Sequence, residues 1–336
     1  MSEIATVSRR GFLGAAVALA ATPALGAECR LGPAPHEKGP LVFLNYDQVA
    51  LDYDQVALDA AYDQSVYECN VGQIGARAAS NSDAVRARLG EPERVVYGPT
   101  AIEHLDIYRA KQAHAPIFIF IHGGTWRTGS ARDSAAPAEL FHDHGAHYIA
   151  LDFTNVLDAG GDLRPMAQQV RSAIAWVAKH AASFGGDPHR LYIGGHSSGG
   201  HLAGVAMVTD WQKDFGLPAD TVKGGICISG MYEMKPVRLS ARGNYVKFDD
   251  AMEAAMSAIR HLPLLRAPAT VAYGTFETPE FQRQGRDFAK AAVAAGKRVT
   301  LIEAKNYAHM EIGESLANPY GPAGRAALAM MGLGRA

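Results

Sequence analysis

From residue 94 to the C-terminus the chain alternates short apolar runs with helix-like stretches, and this alternation restricts the fold more than any other feature. Segments 94–97, 104–108, 117–121, 147–153, 191–194, 225–229, 269–273 and 299–303 read as strands. Helical periodicity falls between them at 165–183, 198–209, 280–295 and 322–332. The unbroken Ile117-Phe118-Ile119-Phe120-Ile121 run predicts a strand buried on both faces. Strands joined by helices of this length need right-handed crossovers. They predict an α/β fold: an open, mostly parallel, eight-stranded-type sheet flanked by helices. In such sheets the reacting groups sit just beyond the C-terminal strand ends.

Composition narrows the function classes. With 48% apolar and 20% charged residues in 336, the chain can bury a large core, which excludes disorder over most of its length. Lys plus Arg is 32 and Asp plus Glu is 34, for a net charge of −2 without a basic block, so no nucleic-acid partner is expected. Three cysteines, at 29, 69 and 227, cannot build a disulfide scaffold, and no CxxC spacing suggests a zinc site. Their pairing is not legible. What remains is a soluble enzyme or a soluble binding protein.

The N-terminus carries an address. Ser8-Arg9-Arg10-Gly11-Phe12-Leu13 precedes an Ala/Gly/Leu/Val stretch broken by Pro23, and resembles a twin-arginine export signal. The stretch is too short to span a bilayer, which takes about 20 residues. Small residues at Ala24, Gly26 and Ala27 suit a signal peptidase, and Glu28 before Cys29 does not suit a lipobox. The expected organisation is a signal peptide at 1–27, an N-terminal extension with lid helices at 28–93, and a catalytic domain at 94–336 carrying a lid insertion at 230–262. The location is then periplasmic or secreted, without a stable membrane anchor. The oligomeric state is left open, a homodimer being one option. Residues 46–52 and 53–59 repeat the heptapeptide Tyr-Asp-Gln-Val-Ala-Leu-Asp. Seven residues turn a helix through about 700°, so a helix here keeps its face after the insertion.

Four strand-end segments carry the chemistry. After strand 191–194 comes Gly195-His196-Ser197-Ser198-Gly199-Gly200 and then an apolar helix. This is GxSxG in its strand–turn–helix setting, a strained turn that presents Ser197 at a helix N-terminus as a nucleophile. The buried strand 117–121 runs into His122-Gly123-Gly124-Thr125-Trp126, whose glycine N–H groups, with that of Ser198, would form an oxyanion hole. Chain order in this architecture is Ser, acid, His. His201 lies inside the elbow helix and His261 precedes any strand-end acid. His309 follows the last strand by a short loop, from which a flexible segment can bring imidazole to the nucleophile. Strand 269–273 ends in Gly274-Thr275-Phe276-Glu277-Thr278-Pro279-Glu280, and Pro279 at a first helical turn makes Glu277 the better acid.

Taken together, HGGTW, GHSSGGHL, the Gly-x-x-Glu-Thr-Pro-Glu-Phe run, the late His309, Leu58–Tyr62 and Phe184–Arg190 resemble the arylformamidase branch of the α/β-hydrolases, near the hormone-sensitive-lipase-like esterases. The similarity spans residue 58 to the C-terminus. It implies hydrolysis of formamides, aryl esters or related acyl compounds without a metal or other cofactor, the small acyl substrate being the expected partner. By matching motif, Ser197, Glu277 and His309 become the triad, and Gly123, Gly124 and Ser198 the oxyanion donors. Trp126, Thr125, His196 and Tyr232 are expected in the substrate pocket. Thr125 stands where relatives often carry an aromatic residue, and an export signal departs from cytoplasmic formylkynurenine hydrolysis. Specificity is assigned to Trp126, to the 230–262 segment with Met231, Tyr232 and Tyr245, and to residues 30–93.

Three other readings compete. Carbamate or xenobiotic amide hydrolysis would use the same triad. The His142-Asp143-His144…His147 cluster could ligate zinc but lacks an HxHxDH pattern. This fold also serves non-catalytic ligand binders, a reading that the complete Ser/Glu/His set disfavours.

Overall fold

The computed structural model describes residues 41–46 and 49–334, so the export signal lies outside the described residues. Ten strands occur in it: β1 (Leu41–Tyr46), β2 (Val49–Asp54), β3 (Glu93–Val96), β4 (His104–Tyr108), β5 (Ala115–Ile121), β6 (His147–Leu151), β7 (Gly186–His196), β8 (Gly224–Ile228), β9 (Ala269–Gly274) and β10 (Val299–Ala304). The last eight form one sheet in the order β10-β9-β8-β7-β5-β6-β4-β3. Within this sheet only the β3–β4 and β4–β6 pairings are antiparallel. This is the expected mostly parallel eight-stranded sheet, with each predicted strand within a few residues of its place. The exception is β7, which starts five residues early because Gly186 already pairs with Ala115 across a bulge.

Every residue of β5 is buried, as its unbroken apolar run requires. Ile117, Ile119 and Ile121 join one apolar cluster, while Phe118 and Phe120 join the other. The period-2 pleat thus feeds two cores, one on each sheet face, which fixes the register of the central strand. Helices Arg164–His180, Ser198–Met207, Pro279–Ala294 and Pro322–Met330 cover the faces, matching the predicted helical segments. No described helix is long and apolar enough to cross a membrane.

The duplicated heptapeptide is helical in one copy only. Its Val-Ala-Leu-Asp is extended at residues 49–52, paired with β1, yet helical at 56–59 in helix Gln55–Ala61. Identical residues therefore obey different surroundings. In the second copy Asp54 Oδ1 accepts the Ala57 N–H at 2.7 Å as an N-cap. Leu58 is wholly buried, and Asp59 accepts the Ala241 N–H at 2.6 Å. Tertiary docking decides where propensity does not. Cys69 is disulfide-bonded and Cys227 is a buried free thiol whose pKa burial pushes up to about 12.

Candidate active site

β7 delivers Ser197 to the sheet's C-terminal edge, directly before helix Ser198–Met207. Ser197 has φ 58° and ψ −123°, a backbone that L-residues seldom adopt and that only surrounding structure can hold. Its N–H donates to Ile228 O at 2.9 Å, tying the turn to β8. Two residues on, the helix passes so near β5 that a Cβ on Gly199 would lie 2.1 Å from Ile121 O. Ser197 itself is 6% exposed.

His309, which lines the same cavity as Ser197, meets Glu277. His309 Nδ1–H donates to Glu277 Oε2 at 2.9 Å, and both side chains are buried. The second carboxylate oxygen accepts Ser229 Oγ–H and Gly274 N–H, each at 2.6 Å. Three donors therefore fix the carboxylate. The alternative acid, Glu280, is committed elsewhere: it pairs with Arg283 at 2.6 Å and accepts from Tyr62 OH at 2.7 Å. His309 departs from the flexible-loop expectation, since it opens the short helix His309–Glu314. That start is clamped twice. His196 Nε2–H donates to His309 O at 2.8 Å, and Glu68 Oε2 accepts the Met310 N–H at 2.9 Å. Burial, aided by the positive charge His309 can carry, pushes the His196 pKa down to about 3, so His196 remains a neutral clamp. Burial raises the Glu68 carboxyl, opposed by the Met310 bond and by His309.

The histidines passed over as the base, His201 and His261, are engaged elsewhere. Trp126 Nε1–H donates to His201 Nδ1 at 3.1 Å, leaving His201 Nε2–H to donate to Met256 O at 3.0 Å. Burial lowers its pKa to about 4. His261 bonds Ala254 O at 2.8 Å. In the histidine-rich 142–147 segment, His144 bonds Leu140 O at 2.8 Å and His147 Nδ1 accepts the Ala110 N–H at 3.0 Å. Among the described residues no group of three or more His, Cys, Asp or Glu is placed to hold a metal ion.

The HGGTW loop leaves β5 and folds over the elbow. A Cβ on Gly123 would lie 2.7 Å from His196 O and 3.2 Å from Ser197 Cβ, so the backbone approaches as closely as only glycine permits. Among the described residues the N–H groups of Gly123 and Gly124 donate to no other group. Ser198, as the first residue of its helix, has an N–H without an intrahelical acceptor. Thr125 and Trp126 both take positive φ, 55° and 62°, which is costly for a β-branched threonine.

Ser197, His309, His196, Gly123, Gly124 and Thr125 line one cavity of about 490 Å³. Two expected pocket residues are absent from its wall. Trp126 is 1% exposed, its indole spent on His201 behind the loop; it borders a smaller cavity of about 220 Å³ instead. Tyr232 is equally buried, stacked 4.3 Å from Phe288 with its hydroxyl donating to Cys227 O at 3.3 Å. Large aromatic groups beside a core opening were drawn into the core, and Met231 follows them. The 230–262 segment reaches the cavity through Arg242, and residues 62–81 reach it through Tyr62, Gln64, Val71 and Ile74 among others. Ser229, Glu68 and Arg242 were not singled out by the sequence reading. Only Ser229 had a signal: it is the last residue of a predicted core strand.

Fold and strand-end geometry define an α/β-hydrolase. The chain is a hydrolase of the carboxylesterase and formamidase type, and its relatives agree with that class. The BD-FAE family model matches residues 105–224. Kynurenine formamidase of Danio rerio is 29% identical over 229 residues, 66% of this chain and 75% of the relative. Esterase LipC of Mycobacterium tuberculosis is 29% identical over 206 residues, 56% of this chain and 48% of the relative. Among solved structures, propionate-bound esterase Est2 of Thermogutta terrifontis superposes with TM-score 0.61 at 23% identity, covering 74% of this chain and 97% of that one. The Pyrobaculum calidifontis esterase gives TM-score 0.62 at 20% identity, covering 79% and 94%.

Proposed function

We propose that the protein hydrolyses carboxylic esters or aryl formamides through an acyl-enzyme on Ser197. The observation that carries this reading is the buried Glu277–His309 bond on the wall of the cavity that also presents strained Ser197. With Nδ1–H given to Glu277, His309 keeps Nε2 free as a base. Ser197 Oγ attacks the substrate carbonyl carbon and its proton passes to His309 Nε2. The oxyanion rests on the N–H groups of Gly123, Gly124 and Ser198. Collapse of the tetrahedral intermediate breaks the C–O or C–N bond, and His309 returns the proton to the departing alcohol or amine. Water then repeats the attack and frees Ser197 with release of the acid. A cavity of about 490 Å³ suits a small-molecule substrate.

The test is a fluorophosphonate probe with peptide mapping, followed by a panel of p-nitrophenyl esters of increasing chain length, aryl formamides and aryl carbamates. The reading expects a covalent label on Ser197 and turnover of at least one ester or formamide, both lost in Ser197→Ala. Fast carbamate turnover with slow ester turnover would move the substrate class and keep the triad. Absence of both label and turnover would leave a ligand-binding protein. Export by the twin-arginine route is part of the same proposal: Ser8–Leu13 supplies the signal, and a disulfide at Cys69 suits an oxidising compartment. Cell fractionation of the wild type against Arg9→Lys/Arg10→Lys tests it, with retention of the variant in the cytoplasm as the expected result.

A further inference from the structure

Arg242 is 6% exposed, yet none of the ion pairs among the described residues includes it. Its buried counterpart Arg86 pairs with Asp83. Of the less buried arginines, Arg94 holds Asp106 and Asp152, Arg260 holds Glu233 and Glu253, and Arg283 holds Glu280 and Asp287, while Arg171 donates to Thr209 Oγ1 at 3.0 Å. Arg242 instead donates from Nη2 to the carbonyl of Tyr62 at 2.9 Å. Its guanidinium carbon lies 5.4 Å from the Trp126 ring, 5.8 Å from Phe281 and 6.0 Å from Tyr62. Among the described residues Nη1 has no hydrogen-bond partner.

Taking an ion out of water costs several kcal/mol unless a counter-charge and hydrogen bonds compensate it. Contacts with aromatic faces recover part of that, about 0.5–2 kcal/mol each, and they hold the group in place without neutralising it. Burial accordingly works against the charged form of Arg242; the Tyr245 and Tyr62 hydroxyls oppose this in part, and the nearby positive charge of Arg127 adds to it. A guanidinium is planar, remains protonated and suits the two oxygens of a carboxylate. This one lines the cavity that holds Ser197 and His309.

We propose that Arg242 is a specificity-determining residue that binds a carboxylate of the substrate, so that the enzyme acts on acyl compounds bearing a negative charge. The inference rests on the hydrolase reading above. One buried positive charge matches one negative charge, which favours a carboxylate over a doubly charged phosphate monoester. The rest of the substrate meets an apolar wall that includes Val71, Ile74, Phe120 and Met310. Discrimination follows from the unpaired cation: a neutral analogue leaves it buried without a partner, and unmatched buried groups are what make a site selective.

The experiment compares anionic and neutral members of matched pairs. On the acyl side, these are p-nitrophenyl monoesters of succinate, glutarate and adipate against their methyl diesters. On the leaving-group side, they are the 2-, 3- and 4-acetoxybenzoates against their methyl esters. The readout is the ratio of kcat/KM for anion over neutral, in the wild type, Arg242→Gln and Arg242→Lys. The expected result is a wild-type ratio above about 10 for at least one pair, a fall in that ratio of about 30-fold or more in Arg242→Gln, mainly through KM, and partial recovery in Arg242→Lys. A wild-type ratio at or below 1 for every pair overturns the proposal. So does a variant that slows both members equally, since that is the signature of a structural pin among aromatic rings. If Arg242→Gln does not fold, calorimetry on Ser197→Ala with 3-hydroxybenzoate and 3-hydroxybenzamide decides: tighter binding of the benzoate supports the assignment, and equal or weaker binding removes it. Selective benzoate binding without turnover of any ester would instead remove the hydrolase reading and keep the carboxylate site.

Discussion

The main-chain N–H of Trp126 donates to the side-chain oxygen of Ser198 at 3.1 Å, across 72 residues of sequence. This bond joins the loop that offers the Gly123 and Gly124 N–H groups to the helix that offers the Ser198 N–H. In the proposed mechanism Ser198 thus acts twice, its backbone facing the oxyanion and its hydroxyl holding the other half of the hole. Ser198→Ala keeps the first role and removes the second, leaving a buried Trp126 N–H unsatisfied at a cost of about 1–3 kcal/mol. We expect kcat to fall roughly 10-fold with KM little changed, because a loosened oxyanion hole weakens the transition state more than the bound substrate. An unchanged kcat would show that the loop keeps its place without this bond.

The triad proposal makes a graded prediction. His309→Ala removes the base, whereas Glu277→Ala leaves an imidazole that can still find its orientation through solvent, so the glutamate variant should retain more activity. Glu277→Gln is the sharper probe. Ser229 Oγ–H and Gly274 N–H both point at Oε1, so the amide oxygen is pinned there and the NH2 is turned toward His309 Nδ1. That forces the tautomer in which Nε2 carries hydrogen and cannot act as base. A loss of about 10²–10⁴ in kcat is expected, on the scale of wrong-tautomer variants in other triads. Activity near wild type in Glu277→Gln would remove Glu277 from the mechanism.

The sequence-level reading succeeded where backbone pattern dictates place. Short apolar runs located eight strands, GxSxG led to the strand–helix turn that carries Ser197, and chain order pointed to His309, which the structure brings to Glu277. Glu277 was separable from Glu280 because Pro279 starts a helix. Side-chain direction around the cavity was another matter. Trp126 and Tyr232 sit at the expected positions in the chain, but each turns inward to a partner that no local pattern reveals, His201 in one case and Phe288 in the other. Glu68 and Arg242 reach the site from segments 174 residues apart in the chain, through contacts with Met310 and Tyr62. Such long-range pairings are set by packing, which has no period to read. The repeated Val-Ala-Leu-Asp, strand in one copy and helix in the other, shows the same limit inside a single peptide.

Close backbone approach predicts unequal tolerance among glycines. Gly199→Ala would put a methyl group 2.1 Å from Ile121 O, forcing β5 and the elbow helix apart. Overpacking of this kind costs about 1–3 kcal/mol or more, so Tm should drop by roughly 5–10 °C, and activity should fall with it as Ser197 is displaced. Gly72 lies within helix Val71–Leu89 with nothing within 4 Å of its built Cβ. Gly72→Ala should therefore raise stability by about 0.5–1 kcal/mol through better helix propensity. Thermal unfolding of the two variants side by side reads both outcomes. Equal shifts would contradict the close approach at the elbow.

Acid sensitivity should trace to buried neutral histidines. His201 is wholly buried, with Nδ1 accepting from Trp126 and Nε2–H donating to Met256 O, so it has no room for a second proton. Its pKa is lowered to about 4, while an unfolded histidine titrates near 6.5. Between those values the unfolded chain binds the extra proton and the native one does not. Stability is therefore fully present above about pH 6.5 and declines as pH falls toward 4, by about 1.4 kcal/mol per pH unit from this group. His196, lowered to about 3, acts in the same direction. In His201→Gln the amide can accept from Trp126 and donate to Met256 O without titrating. Tm measured from pH 8 to pH 4 should fall more gently in the variant than in the wild type. Parallel curves would place the acid-sensitive group elsewhere.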